Sequence, residues 1–150
     1  MRARDLAEAY PVVGVDTSAL VAARLIAGDR LPGLVVTDRD GTPKAVLPAS
    51  EVVRFLVPEY VQDDPTLAGV LGEVPAERLA ERLGRVTVAA LLPTRPAELA
   101  VLQADDTVVV LAATMARLRS PLCAVMDGHT IVGVVTAARL LELVCGRQPE

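Results

Sequence analysis

Two hydrophobic periods alternate along this chain, and the same succession of them occurs twice. After Asp106 and Thr107, apolar Val108, Leu111, Ala112, Met115 and Leu118 recur at i, i+3, i+4, i+7 and i+10, the spacing of one helix face. After Thr17 and Ser18, the i,i+4 pairs Val21/Leu25 and Ala22/Ile26 mark a weaker helix. Asp106 or Thr107 is suited to cap the stronger helix. Both helices run out near a basic residue and a proline, Arg30 and Pro32, then Arg119 and Pro121. Apolar runs at 34–36 and 122–125 follow, and runs this short read as buried strands. The turns over 38–41 and at Asp127-Gly128 reverse the chain, glycine tolerating the positive φ that tight hairpins need. Return strands are expected at 45–47 and 130–135. Helices over 50–56, with Ser50 as cap, and over 137–144 close each half. Strands at 12–15 and 100–103 open the halves, each behind a short helix, at 4–7 and 88–91.

The repetition extends to local sequence. Leu31-Pro32-Gly33-Leu34-Val35-Val36-Thr37-Asp38 is answered by Ser120-Pro121-Leu122-Cys123-Ala124-Val125-Met126-Asp127. The stretch from Ala45 through Val53 is answered by the stretch from Gly133 through Leu141. Between successive matches the separation closes by one residue, as loop deletions in the second copy would produce. Two copies point to a pseudo-twofold pair, because a solenoid needs at least three. The cleft between the copies is then the first place to look for a ligand. The domain reading is 1–57 for the first copy, 58–87 for a linker and 88–150 for the second copy. Within the linker, a helix is predicted over about 75–84, with proline inside its start and glycine past its end.

Composition removes several function classes. The chain has 150 residues, enough for one compact domain or two small halves sharing a core. Hydrophobic residues make up 52%, and the apolar set is mostly Ala, Val and Leu, with one Phe, two Tyr and no Trp. A nucleic-acid module that stacks bases on aromatic rings is not expected, and a net charge of −4 argues against a phosphate-tracking surface. No apolar run reaches the roughly 18 residues of a membrane span, and no apolar signal core follows Met1-Arg2-Ala3-Arg4-Asp5, so the expectation is a soluble cytoplasmic protein, not membrane-embedded. Cys123 and Cys145 form no CxxC pair and read as reduced thiols. There is one histidine, no phosphate loop and no metal-ligand cluster, so the chain is not expected to be an enzyme.

The doubled β-α-β-β-α order resembles the tandem cystathionine-β-synthase (CBS) domain pair, or Bateman module. The resemblance is carried by Asp16-Thr17 and Asp106-Thr107, by the strand ends from Pro32 to Asp38 and from Pro121 to Asp127, and above all by Gly133-Val134-Val135-Thr136. It covers about residues 4–57 and 88–145. It implies an α+β fold of two tandem repeats related by a pseudo-twofold axis, and a regulatory role. Such pairs sense adenosyl ligands (AMP, ADP, ATP or S-adenosylmethionine) in clefts between the repeats, none of them an obligatory cofactor. They form homodimers, for which the apolar final helix with Leu140, Leu141, Leu143 and Val144 is suited. Output would pass in trans to an effector, a transporter or an enzyme.

In the family pattern Gly-h-h-Thr/Ser-x-x-Asp, the hydroxyl and the carboxylate hold the ribose and strand backbone reads the base, here at Val35 and Val125. An ionised carboxylate accepts both donors of a vicinal diol, and it sits in the first turn of a helix, where the dipole favours it. This chain departs from the pattern in both copies. Pro48 stands at the first hydroxyl position and Glu51 at the first carboxylate position. In the second copy Thr136 keeps the hydroxyl, but Arg139 replaces the carboxylate, and guanidinium only donates.

Each of these residues has a structural reading beside the functional one. Thr136 either caps the last helix or binds ribose. Glu51 is either a solvated first-turn acid or a ribose ligand. Arg139 is a surface residue, a phosphate ligand, or a partner of Glu51 or of a second subunit. His129 reads as exposed, Asp38, Asp40 and Asp127 as turn formers, and Asp63-Asp64 as solvated. Residues 60–65 either cover a cleft or a partner, or are solvated linker. Two functions remain open: a nucleotide-sensing regulator, or a degenerate pair serving as a dimerisation scaffold without a nucleotide.

Overall fold

The computed structural model describes residues 1–146, with the side chains of Val70 and Leu71 left aside; the last four residues of the expected second copy lie outside the described residues. The first half contains β1 (Val12–Gly14), α2 (Ala19–Asp29), β2 (Gly33–Thr37), β3 (Pro43–Pro48) and α3 (Ala49–Phe55), after a short α1 (Ala3–Leu6). The linker carries α4 (Glu59–Asp63), a 3-10 turn (Pro65–Leu67), α5 (Ala68–Leu71) and α6 (Ala76–Gly84). A short α7 (Val88–Leu91) precedes β4 (Ala100–Gln103), α8 (Val108–Leu118), β5 (Leu122–Asp127), β6 (Thr130–Thr136) and α9 (Ala137–Cys145).

Each half forms a three-stranded sheet of identical topology. The first strand pairs parallel to the second, and the second antiparallel to the third. The likeness extends to irregularities. Both hairpins shift register at matching places, Val36/Thr37 and Val125/Met126. Helices α2 and α8 both end on an arginine in the left-handed region, Arg30 (φ 53°) and Arg119 (φ 52°). The residue after each then bonds back into its helix, Leu31 N–H to the Ile26 carbonyl at 2.9 Å and Ser120 N–H to the Met115 carbonyl at 3.0 Å. That closure satisfies orphan carbonyls, although a Cβ makes left-handed backbone costly.

The central strands are buried on both faces, and strand periodicity divides their side chains between two cores. Leu34 and Val36 of β2 face α2, α3, α6 and α7, where Ala22, Val52, Leu83 and Val88 are buried. Cys123 and Val125 of β5 face α1 and α8, with Leu6, Leu111 and Met115. The alternate residues form a third core between the two sheets: Val35 and Val46 meet Leu122, Ala124 and Val134, with Leu99 completing it and Tyr10 packed against it.

The halves also exchange their opening helices. α1 precedes the first sheet in sequence but packs on the second, where Ala3 N–H donates to the Asp106 carbonyl at 2.8 Å and Arg4 pairs with Asp105. α7 precedes the second sheet but packs on the first, where Val88 N–H donates to the Thr17 carbonyl at 2.8 Å.

Some local expectations need correction. α3 starts at Ala49 behind Pro48, which supplies no side-chain cap, so Ser50 lies inside the first turn and is not its cap. Proline is tolerated at such a start because its missing N–H is not required there. At α8 the open choice of cap falls to Thr107, which accepts from the Val110 N–H at 3.3 Å, while Asp106 accepts from the Gln103 N–H at 2.9 Å.

Tyr10 packs against the inter-sheet core and is tied to the first sheet. It lies between α1 and β1, and its hydroxyl donates to the Gly33 carbonyl at 2.6 Å. Burial pushes the phenol from 10.0 up to about 12. The folded chain thus favours the neutral phenol, a contribution whole below pH 10 and lost as pH rises from about 10 to about 12. Tyr10→Phe should cost about 1 kcal/mol at pH 7 by loss of the hydrogen bond. It should also show a shallower alkaline loss of stability than the parent. Urea unfolding of both proteins between pH 7 and 11 checks this; equal stability at pH 7 would leave the bond without weight.

Candidate functional site

The first candidate position is built where β3 turns into α3. Gly33 lies opposite Pro48 in the ladder, and a Cβ on Gly33 would stand 2.5 Å from the Leu47 carbonyl oxygen. Only glycine allows this close approach, which sets the direction in which α3 leaves the sheet. Glu51 follows in the first turn of α3, half-buried, and its carboxylate has no hydrogen bond or ion pair among the described residues. It lines a groove of about 560 Å³ together with Arg54 and Phe55 of α3, Glu59 and Gln62 of α4, and Arg82 of α6. Residues 90–94 and Val57 complete the lining, with Leu91 buried in the first core.

Two linker side chains hold the far end of α3. Gln62 Nε2 donates to the carbonyls of Arg54 at 3.0 Å and Val57 at 2.7 Å. Arg82 donates to the carbonyls of Phe55 and Leu56, each at 3.3 Å, and its guanidinium lies 5.4 Å from the centroid of the Phe55 ring. The carbonyls left open at this helix end thereby find partners.

The equivalent position in the second half is arranged differently. Thr136 caps α9, its Oγ1 accepting from the Arg139 N–H at 3.0 Å. Arg139 Nε stands 3.6 Å from Glu8 Oε1, and Nη1 stands 3.7 Å from Glu142 Oε1. Nε is buried and makes no hydrogen bond. Glu8 is fixed by its backbone, which exchanges hydrogen bonds of 3.0 and 2.9 Å with Val134. A Cβ on Gly133 would stand 2.9 Å from the Glu8 carbonyl oxygen, so the glycine admits the crossing segment. The first half has the same crossing, by residues 97–98 over β3, without the ion pair. Arg139 therefore pairs with Glu8 and Glu142, not with Glu51.

The residues singled out from sequence are thus not gathered at one point. Glu51 lines the groove, Pro48 shapes its approach, and Thr136 and Arg139 stand in the other half. Val35 and Val125 present nothing to a ligand. Both side chains are fully buried, and both lie on central strands whose backbone edges are taken up by neighbours on either side. They even face different cores: Ala124, the counterpart of Val35 in the repeat, lies with it in the inter-sheet layer, whereas Val125 faces α1 and α8. The groove also departs from a simple cleft between repeats, since no residue of β4–β6, α8 or α9 lines it. Asp38 is a turn former as expected, its Oδ1 accepting from the N–H groups of Asp40 at 2.9 Å and Thr42 at 3.0 Å. His129 is exposed. Both cysteines are free, and burial pushes the Cys123 thiol up to about 12. Among the described residues, no cluster of three or more His, Cys, Asp or Glu side chains is arranged to hold a metal, and no helix is long and apolar enough to cross a membrane.

Neither a family model nor a curated protein matches the chain. Among solved structures, a CBS domain-containing protein of unknown function from Kribbella flavida is 56% identical over 96% of this chain and 99% of that one, with a TM-score of 0.86. The chain belongs to the CBS-domain family, as a CBS domain pair. Two more distant CBS proteins share the fold. One is the CBS domain of a CBS domain-containing membrane protein from Sphaerobacter thermophilus, at 23% identity and TM-score 0.65, covering 95% of this chain and 87% of that one. The other is CBSX2 in complex with AMP, at 17% identity and TM-score 0.62, covering 96% of each chain.

Within this CBS pair, sequence reasoning missed Arg54, Phe55 and Arg82 as groove residues, and reached Gln62 only as part of the stretch 60–65. Phe55 had a local signal, being the only phenylalanine and one turn beyond Glu51 on the same helix face. Arg82 had none, since its contacts with Phe55 and Leu56 span 26 to 27 residues.

Thr136 serves as a cap in this structure, and its replacement separates capping from ligand binding. Thr136→Ala should destabilise by about 1 kcal/mol, whereas Thr136→Ser should keep most of the stability. Denaturant unfolding measures both; an alanine variant as stable as the parent would remove the capping role.

Proposed function

We propose that this CBS pair is a regulatory sensor of an adenosyl ligand, an adenine nucleotide foremost, bound once per chain in the groove at Glu51. The observation that carries this reading is the half-buried Glu51 carboxylate, without a partner among the described residues, in the first turn of α3 and facing the groove. Such a group accepts both hydroxyls of a ribose in charge-assisted hydrogen bonds. Apolar Phe55, Leu91, Leu92 and Pro93 offer surface to a base. Recognition of AMP by CBSX2, which shares the fold, supports the choice of ligand class. The second half holds no equivalent site, because Arg139 replaces the acceptor and Glu8 lies against it. Binding shifts the population of inter-repeat arrangements and modulates an effector, a transporter or an enzyme, in trans. Two unpaired cysteines suit work in the reducing cytoplasm, and the reading assigns no catalysis.

Thermal unfolding against AMP, ADP, ATP and S-adenosylmethionine tests the sensor. Ligand at about 100 times its dissociation constant stabilises by roughly 2.7 kcal/mol. For a chain of this length that raises Tm by roughly 5–10 °C. Glu51→Ala should abolish the rise; an unchanged affinity would remove the ribose from Glu51.

A second reading, assembly of a homodimer through α9, is favoured by exposed apolar side chains on that helix: Leu141 at 59%, Leu143 at 39% and Val144 at 73% exposure. It holds whether or not a nucleotide binds. Leu141→Glu should then yield a monomer by light scattering, and a persisting dimer would move the interface elsewhere.

A further inference from the structure

We infer that Arg82, on linker helix α6, is the anion-reading residue of the groove and makes it selective for a nucleoside 5′-phosphate over the bare nucleoside or S-adenosylmethionine; the inference rests on the placement of the ribose at Glu51. The groove is even in charge, Glu51 and Glu59 against Arg54 and Arg82, so net field does not choose the ligand. What chooses it is where each charge stands. Glu51 and Phe55 are one turn apart on α3, about 6 Å along the axis. The Arg82 guanidinium lies over the Phe55 ring, at 5.4 Å from its centroid. A diol held by Glu51 and a cation fixed at the Phe55 end of α3 thus share one groove, and a nucleotide lying along α3 would meet both.

Arg82 is suited to that role in ways that Arg54 is not. Two of its nitrogens are anchored on the carbonyls of Phe55 and Leu56, and the ring supports its plane. A guanidinium carries five N–H donors, so donors remain for a phosphate, which it can meet in bidentate fashion. Because the side chain is already held, little conformational freedom is lost on binding. Arg54 has no such anchorage for its side chain among the described residues, and stands as an exposed second cation. S-adenosylmethionine would bring a sulfonium cation to the place the phosphate takes, next to a fixed positive charge. Adenosine would bring nothing for Arg82 to hold.

Calorimetric titration of the full chain and of Arg82→Gln with AMP, adenosine and inorganic pyrophosphate tests this, with circular dichroism checking that the variant is folded and Arg82→Lys as a charge-retaining control. A charge-assisted contact of this kind should favour AMP over adenosine by roughly tenfold or more in the parent. Arg82→Gln should erase that preference while adenosine binds as before, and Arg82→Lys should restore part of it. Equal affinity for AMP and adenosine in the parent overturns the inference and leaves the ribose reading standing. Equal weakening of both ligands by Arg82→Gln also overturns it, since Arg82 would then merely hold the end of α3. Pyrophosphate binding that depends on Arg82, with no adenosyl ligand bound, sustains the anion site and sinks the adenosyl reading. Binding of none of the three overturns both.

Discussion

The layer of small apolar side chains between the two sheets is the contact on which the rest of this molecule depends. Val35 and Val46 on one side, and Leu122, Ala124 and Val134 on the other, belong to strands already covered by helices on their opposite faces. A half taken alone would leave its inner face in water, at roughly 1.5–3 kcal/mol for each large apolar side chain uncovered. Neither half therefore has a complete core of its own. The exchange of α1 and α7 strengthens the same constraint with backbone hydrogen bonds, because each half borrows its first helix from the chain segment leading to the other. One folding unit results, in spite of a sequence that reads as two.

Repetition in such a unit offers two equivalent positions, and this chain uses them unequally. Where the first half presents an acceptor, Glu51, the second presents a donor, Arg139. The crossing segment that brings Glu8 over β6 then supplies the acid that Arg139 needs. At 3.6 Å, with Glu8 mostly exposed, that pair adds little to stability. Its consequence is chemical: a donor, Arg139, stands where the first half has the Glu51 carboxylate, and its charge is met by Glu8. The linker breaks the symmetry further. It packs α6 against α2 and ties the end of α3 with side chains from α4 and α6, and the described residues give α9 no comparable covering.

Much of this fold was legible in the amino-acid sequence, and the limits of that legibility have physical causes. Helix α8 announced itself because five apolar residues share one face, and the hairpins because glycine and aspartate mark tight turns. The resemblance to CBS pairs ordered those elements correctly. Periodicity alone could not say which face of a buried strand meets which core, so Val35 and Val125 were named together as base-reading positions although they face different cores. The cap of α3 was misplaced because serine competes well for caps, yet the strand runs straight to Pro48 before turning. Glu51 stood out as a candidate because its chemistry is local to a motif. Arg82 did not, and Gln62 only as part of the stretch 60–65, because what brings them to α3 is the packing of α6 against α2 and of α4 against the end of α3. No short pattern encodes either.

The placement of the groove bears on how a bound ligand can be felt elsewhere. A ligand shifts a conformational equilibrium only through interactions that differ between the states. In a rigid interface within one segment few such differences exist. Here α3, α4, α6 and the stretch 90–94 meet at one surface, and they come from the first half, the linker and the approach to the second half. The linker side chains on that surface also bind the last carbonyls of α3, and residues 97–98, just beyond the groove lining, pair with β3 before entering β4. A ligand in the groove would therefore act where the linker and the approach to the second half meet α3. A site buried within either sheet's own helix-covered core would have no such leverage, because its contacts are the same in any arrangement of the halves.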